Sequence, residues 1–174
     1  MEQKLIVSSS PHLGSGATTQ KIMLDVIIAL IPAAIASCIL FGIQALILIL
    51  TCVISCVLAE YLSRKVMKRD NTIFDLSAVV TGLLLAFNLP ATINPLIAVF
   101  GSVVAIVVVK QMFGGIGQNF VNPALTARIV LMSSFPAKMS NWVVPFWYRS
   151  GNPDAITTAS PLGLLKQGAS DQLP

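Results

Sequence analysis

The fold class this sequence predicts is an all-α polytopic integral membrane protein, with about five transmembrane or broken helices. Two observations carry that expectation. Hydrophobic residues make up 55% of the chain and charged residues only 10%, far below the roughly 25% of a soluble domain. The apolar residues are also gathered into long runs, separated by glycine, proline or basic residues. The net charge of +4 is spread out or placed at the ends of these runs, not interleaved with aromatics, which argues against nucleic-acid binding. The lipid bilayer is the expected partner.

Residues 1–21 are polar and lack the apolar core and small-residue cleavage site of a signal peptide, so targeting falls to the first membrane helix. They read as an N-terminal arm. His12, the only histidine, is read as a surface group. The first run, 22–41, is long enough to span, carries Asp25 near its start, and is expected to kink at Pro32. Gly42 separates it from the second run, 43–62, so the two form a tight antiparallel pair that Glu60 and Tyr61 close at an interface. Cys38, Cys52 and Cys56 lie inside these runs and read as small buried residues, not as a metal pair.

The densest positive cluster, Arg64-Lys65-Val66-Met67-Lys68-Arg69, is expected in a short loop, which the positive-inside rule makes cytoplasmic. Counting back across two spans puts the arm in the cytoplasm too. The third run, 73–89, is short and contains Asp75, Ser77, Thr81, Gly82 and Asn88, so it is expected to be broken or re-entrant. The fourth, 93–109, ends at Lys110, back on the cytoplasmic side. A glycine-rich stretch follows, Gly-Gly-Ile-Gly-Gln-Asn-Phe-Val-Asn-Pro-Ala at 114–124, without the Lys-Ser/Thr ending of a nucleotide P-loop. Asn119 and Asn122 are expected to share a helical face and to need partners at membrane depth. Arg128 should point at protein or cofactor, not lipid.

The fifth apolar segment ends near residue 135. The membrane region is thus 22–136, and the remaining 137–174 is wet, with Trp142, Trp147 and Tyr148 suited to the interface. An odd number of crossings from a cytoplasmic start makes it extracytoplasmic. Within it, Asp-Ala-Ile-Thr-Thr-Ala-Ser-Pro-Leu at 154–162 reads as a helix start, with Ser160 at the N-cap and Pro161 in the first helical position. A hydroxyl there lies where free amides and the helix dipole favour a phosphate. The chain then ends in loop-like residues and reads as truncated.

Together, Ser-Pro-His at 10–12, Ile-Met-Leu-Asp-Val at 22–26, Thr-Gly-Leu-Leu-Leu-Ala-Phe-Asn-Leu-Pro at 81–90, the 114–124 stretch and the 154–162 stretch resemble the RnfD/NqrB family. These are membrane subunits of ion-translocating electron-transfer complexes. The resemblance covers essentially the whole chain and implies about half of a larger helical bundle in a bacterial cytoplasmic (inner) membrane. It implies a subunit of a translocase, not catalytic alone, that relays electrons coupled to Na⁺ or H⁺ movement alongside the other subunits of an Rnf-type ferredoxin:NAD⁺ oxidoreductase.

In that family a flavin transferase attaches FMN through its phosphate to a hydroxyl residue. The resemblance implies Ser160 as the acceptor of this covalent phosphoester, with Asp154, Thr157, Thr158 and Ala159 completing the motif. The family acceptor is usually threonine, so serine here is a departure. Ser15-Gly16-Ala17-Thr18 spells the usual core more faithfully, but His12 stands where the aspartate should be, and the arm is on the wrong side. The resemblance further implies a non-covalent riboflavin, with Asn119 and Asn122 as candidate partners. A solute transporter or channel without redox function, or a passive assembly protein, is the competing expectation from broken helices alone.

Overall fold

The computed structural model describes residues 18–69 and 71–149, together with the backbone of Thr157 and Thr158. Helix α1 spans Thr19–Phe41 and α2 spans Ile43–Val66. Both are long and apolar enough to cross a membrane. Thr18, the last residue of the Ser15-Gly16-Ala17-Thr18 stretch, caps α1: its hydroxyl oxygen accepts from the Lys21 N–H at 3.3 Å. The helix runs through Pro32 without leaving helical geometry and stops at Gly42. That glycine sits at φ +74, and a Cβ there would meet the Tyr148 ring at 3.1 Å. The one-residue turn therefore needs glycine twice over, for its backbone angle and for the ring packed on it.

Helix α2 is the centre of the bundle, packed by α1, α3 and α4. It extends past the expected end at residue 62, so Arg64 and Lys65 lie in its last turn and not in a loop. Cations are favoured at a helix C-terminus, and Arg64 is buried there. The third segment is broken, as its composition predicts. A 3₁₀ turn, Ile73–Asp75, leads through left-handed Leu76 (φ +59) to α3, Ser77–Phe87. Eleven helical residues reach only about 16 Å, well short of a bilayer core. Gly82 on α3 lies so close to α2 that a Cβ would fall 2.8 Å from the Val53 Cα. Small residues permit this approach, which is the usual means of helix packing in lipid.

Helix α4, Pro95–Val103, starts with Asn94 accepting from the Leu96 N–H at 2.9 Å and continues as a π-helix over Val104–Gln111. Helix α5, Pro123–Ser134, returns along α4, with Leu131 against Gly101 and the Phe100 and Phe135 rings edge-on at 6.3 Å. A short α6, Pro136–Met139, precedes strand β1, Trp142–Val143. Among the described residues, the expectation of an all-helical chain meets one small exception: β1 pairs antiparallel with β2, Thr157–Thr158, in the register Trp142 to Thr158 and Val143 to Thr157.

The core is built from small and branched residues such as Cys52, Leu85, Ala98, Ala105, Ala127 and Leu131, all nearly inaccessible. Cys52 and Cys56 are fully buried, as expected of small apolar residues. Helix α1 has no buried residue. Its outer face of Ile22, Ile28, Ile31, Ile35 and Ile39 suits lipid or another protein surface.

Candidate functional site

The helices pass up and down, giving the bundle two ends with different chemistry. At the end where α2 and the π-helix finish, opposite charges meet inside the protein. The Lys110 ammonium donates to both oxygens of the Glu60 carboxylate at 2.9 Å and to the Ser77 hydroxyl at 2.7 Å. Thr72 Oγ1 and Gln111 Nε2 also donate to Glu60 Oε1, each at 2.9 Å. Glu60 and Gln111 are completely buried and Lys110 is 3% exposed. Burying one of these charges alone would be very costly, and the pair is tolerated because each is matched by the other and by further hydrogen bonds. The Gln111 Oε1 is buried with no hydrogen-bond partner, leaving one acceptor in the cluster still to be satisfied. Arg69 Nη1 donates to the Gln111 carbonyl at 3.3 Å, tying the segment after α2 to the end of the π-helix.

The sequence places Glu60 at the end of run two and Lys110 at the end of run four; the structure adds that both are buried and paired with each other. The available signal is that apolar runs two and four end in residues of opposite sign. Ending at the same side of the bundle, they can neutralise each other. Only the packing of α2 against the π-helix shows that they do.

The two asparagines do not share a helical face. Pro123 opens α5, so the residues before it are outside the helix. Asn122 is exposed and caps α5, its Oδ1 accepting from the Ala124 and Leu125 amides at 3.0 and 3.4 Å. Asn119 lies in the preceding loop, where its Nδ2 donates to the Val121 carbonyl at 3.2 Å. The Phe113 and Phe120 rings meet edge-on at 5.0 Å across that loop. Arg128 does point at protein: Nη1 donates to Asn88 Oδ1 at 2.7 Å, and Asn88 donates in turn to the Leu84 carbonyl. Asp25 is exposed on α1, and Asp75 belongs to the 3₁₀ turn before α3.

At the opposite end, the segment after α6 folds back over the α1–α2 turn. The Phe146 N–H donates to the Leu40 carbonyl, and the Tyr148 hydroxyl to the Ile39 carbonyl, both at 2.7 Å. Here β1 holds β2, and so holds Thr157 and Thr158 of the 154–160 motif at this end. Asp154, Ala159, Ser160 and Pro161 lie outside the described residues, as does His12.

An integral membrane protein that buries an ion pair at one end of its bundle, and carries a short strand pair at the other, is the class this architecture defines. Comparison with known proteins narrows it. The model of the NQR2, RnfD, RnfE family matches residues 6–173. The chain is 49% identical to the D subunit of the Na(+)-translocating ferredoxin:NAD(+) oxidoreductase complex of Acetobacterium woodii, across 99% of this chain and 53% of that protein. It is 45% identical to the D subunit of the proton-translocating ferredoxin:NAD(+) oxidoreductase complex of Clostridium ljungdahlii, across 96% and 50%. It is also 36% identical to the D subunit of the ion-translocating oxidoreductase complex of Shewanella loihica, across 96% and 55%. The chain belongs to the NQR2, RnfD, RnfE family, and spans about half the length of these relatives.

Proposed function

We propose that this chain forms part of a membrane subunit of an Rnf-type ferredoxin:NAD⁺ oxidoreductase, carrying FMN on Ser160 and passing electrons between other subunits in step with Na⁺ or H⁺ movement. The observation that carries the reading is the near-complete coverage of this chain by relatives named as the D subunit of such complexes. The relatives named for sodium and for protons are almost equally similar to it, so the choice of ion stays open between them.

The residues present suit the flavins. Thr157 and Thr158, held by β1, give the acceptor segment a fixed base, and two further residues bring the chain to Ser160. A phosphate ester on its hydroxyl keeps both nucleotide and chain in place without a preformed nucleotide pocket. Asp154 and Ala159 would be read by the flavin transferase during maturation. Riboflavin, held without a covalent bond, would meet the loop of Asn119 and the Asn122 amide. Because the Asn122 oxygen is committed to the helix cap, Asn122 would offer its Nδ2 hydrogens to a flavin carbonyl. The flavins supply the electron chemistry, and the protein supplies placement and charge. Glu60 and Lys110 would supply an interior charge on which coupled ion movement can act.

The N-terminus and the 64–69 cluster would face the cytoplasm and the 137–174 segment the other side. Mass spectrometry of the Ser160 peptide, from protein made together with its flavin transferase, tests the central claim. An FMN adduct on Ser160, and loss of in-gel flavin fluorescence in Ser160→Ala, is the expected result. A fluorescent band that persists in Ser160→Ala removes Ser160 as the anchor. No band in the unaltered protein favours a transporter without redox function.

A further inference from the structure

Helix α5 carries a cation on a face that the described residues leave uncovered. Leu125, Ile129 and Met132 stand exposed along it at helical spacing. Arg128 lies three residues after Leu125 and four before Met132, so it shares their face. It is the sixth of the twelve residues of α5, about 9 Å of helix from either end. Its guanidinium is held toward the bundle, with Nη1 donating to Asn88 Oδ1 at 2.7 Å.

Asn88 positions this side chain without neutralising it. An amide oxygen has no formal charge, and a guanidinium has five N–H donors in a rigid fork, of which Asn88 answers one. Among the described residues, no carboxylate is paired with Arg128. A charge in the middle of a helix is costly against acyl chains, which argues against lipid on this face. Helix α1 shows the contrast, lining its exposed side with Ile28, Ile31, Ile35 and Ile39. The face of α5 instead suits protein that brings a carboxylate, whose two oxygens match the guanidinium fork. Such protein has a ready source. This chain matches 53% and 50% of the lengths of two D subunits, so about half of each lies outside the matched part.

We propose that the α5 face of Leu125, Arg128, Ile129 and Met132 is the seam against the remaining half of the subunit, where a carboxylate on a helix of that half pairs with Arg128. The inference rests on the reading of this chain as part of a longer membrane subunit. Apolar side chains alone tolerate sliding of one helix past another, so the ion pair fixes which helix docks and in what register.

The test uses the full-length subunit in its complex, with the photo-cross-linking residue p-benzoylphenylalanine in place of Ile129, which is 64% exposed and leaves room for it. Illumination should join this position to a peptide of the same polypeptide outside residues 1–174, read by mass spectrometry. Arg128→Glu should lower the yield of that cross-link at least about threefold, the scale of a polar contact between helices in lipid. Arg128→Lys, which keeps the charge, should hold the yield. Changing the paired acidic residue of the cross-linked helix to lysine should restore the yield in the Arg128→Glu protein, and failure of every such change overturns the ion pair. Asn88→Leu removes the contact inside the bundle and keeps the cation, so it should leave the yield unchanged. A loss equal to that of Arg128→Glu would mean that Arg128 acts only through Asn88, and overturns the ion pair as well. A cross-link to lipid, to another polypeptide or within residues 1–174 overturns the seam. Copurification of the other subunits reads the proposed function separately, so either reading can fail without the other.

Discussion

Lys110 and Glu60 show what a single side chain can do in this bundle. Neither charge could stay inside alone, and each has the other at 2.9 Å. Lys110→Met leaves Glu60 buried without its counter-charge, and should lower stability by about 3–5 kcal/mol. The double variant Glu60→Gln with Lys110→Met removes both charges and should recover most of that loss. Unfolding midpoints in detergent with increasing sodium dodecyl sulfate would measure both, and equal losses in the single and double variants would rule out the pairing as the cause. Asn122 carries a smaller load. Asn122→Ala removes the cap of α5 and should cost about 1 kcal/mol in the same assay. An Asn122→Ser variant, which keeps a capping oxygen, should restore stability. If it fails to restore riboflavin content, the amide has a ligand role separate from the cap.

Elements depend on their contacts more than on their composition. The long helices α1 and α2 were legible because each is a run of apolar residues with a glycine between them. The breaks in the third segment were legible because it is short and dotted with polar residues. The π-helix was not, since Val104–Gln111 has the same apolar character as an ordinary helix and its turn width is a matter of backbone packing. Nor was the end of α2, because Arg64 and Lys65 look like loop residues until the helix places them in its last turn. The α2–α3 contact hangs on Gly82. Gly82→Leu would drive a side chain into the Val53 backbone and should destabilise the protein by about 3 kcal/mol. Gly82→Ser, closer in size, should cost less. An unfolding midpoint unchanged by Gly82→Leu would mean that the two helices do not meet there in the membrane.

At the scale of the whole molecule, the Glu60–Lys110 cluster lies at one end of the described bundle, and the α1–α2 turn with the strand pair lies at the other. The cytoplasmic reading of the 64–69 cluster predicts that an alkaline phosphatase fused after Asn152 is active and one fused after Lys68 is not. The opposite pattern would invert the topology and put Ser160 out of reach of a transferase on the outer face. The sequence by itself determined the membrane class, the run boundaries to within a few residues and the family, because hydropathy and ordered motifs are properties of the chain alone. It also picked out Asn119 and Asn122, though not their settings, since the cap and the loop depend on where α5 begins. Only the tertiary structure decided that Glu60 and Lys110 neutralise each other in the interior, and that Thr157 and Thr158 pair with β1 at the α1–α2 turn end. These are meetings between residues far apart in the chain, and which of them meet is decided by how the helices pack.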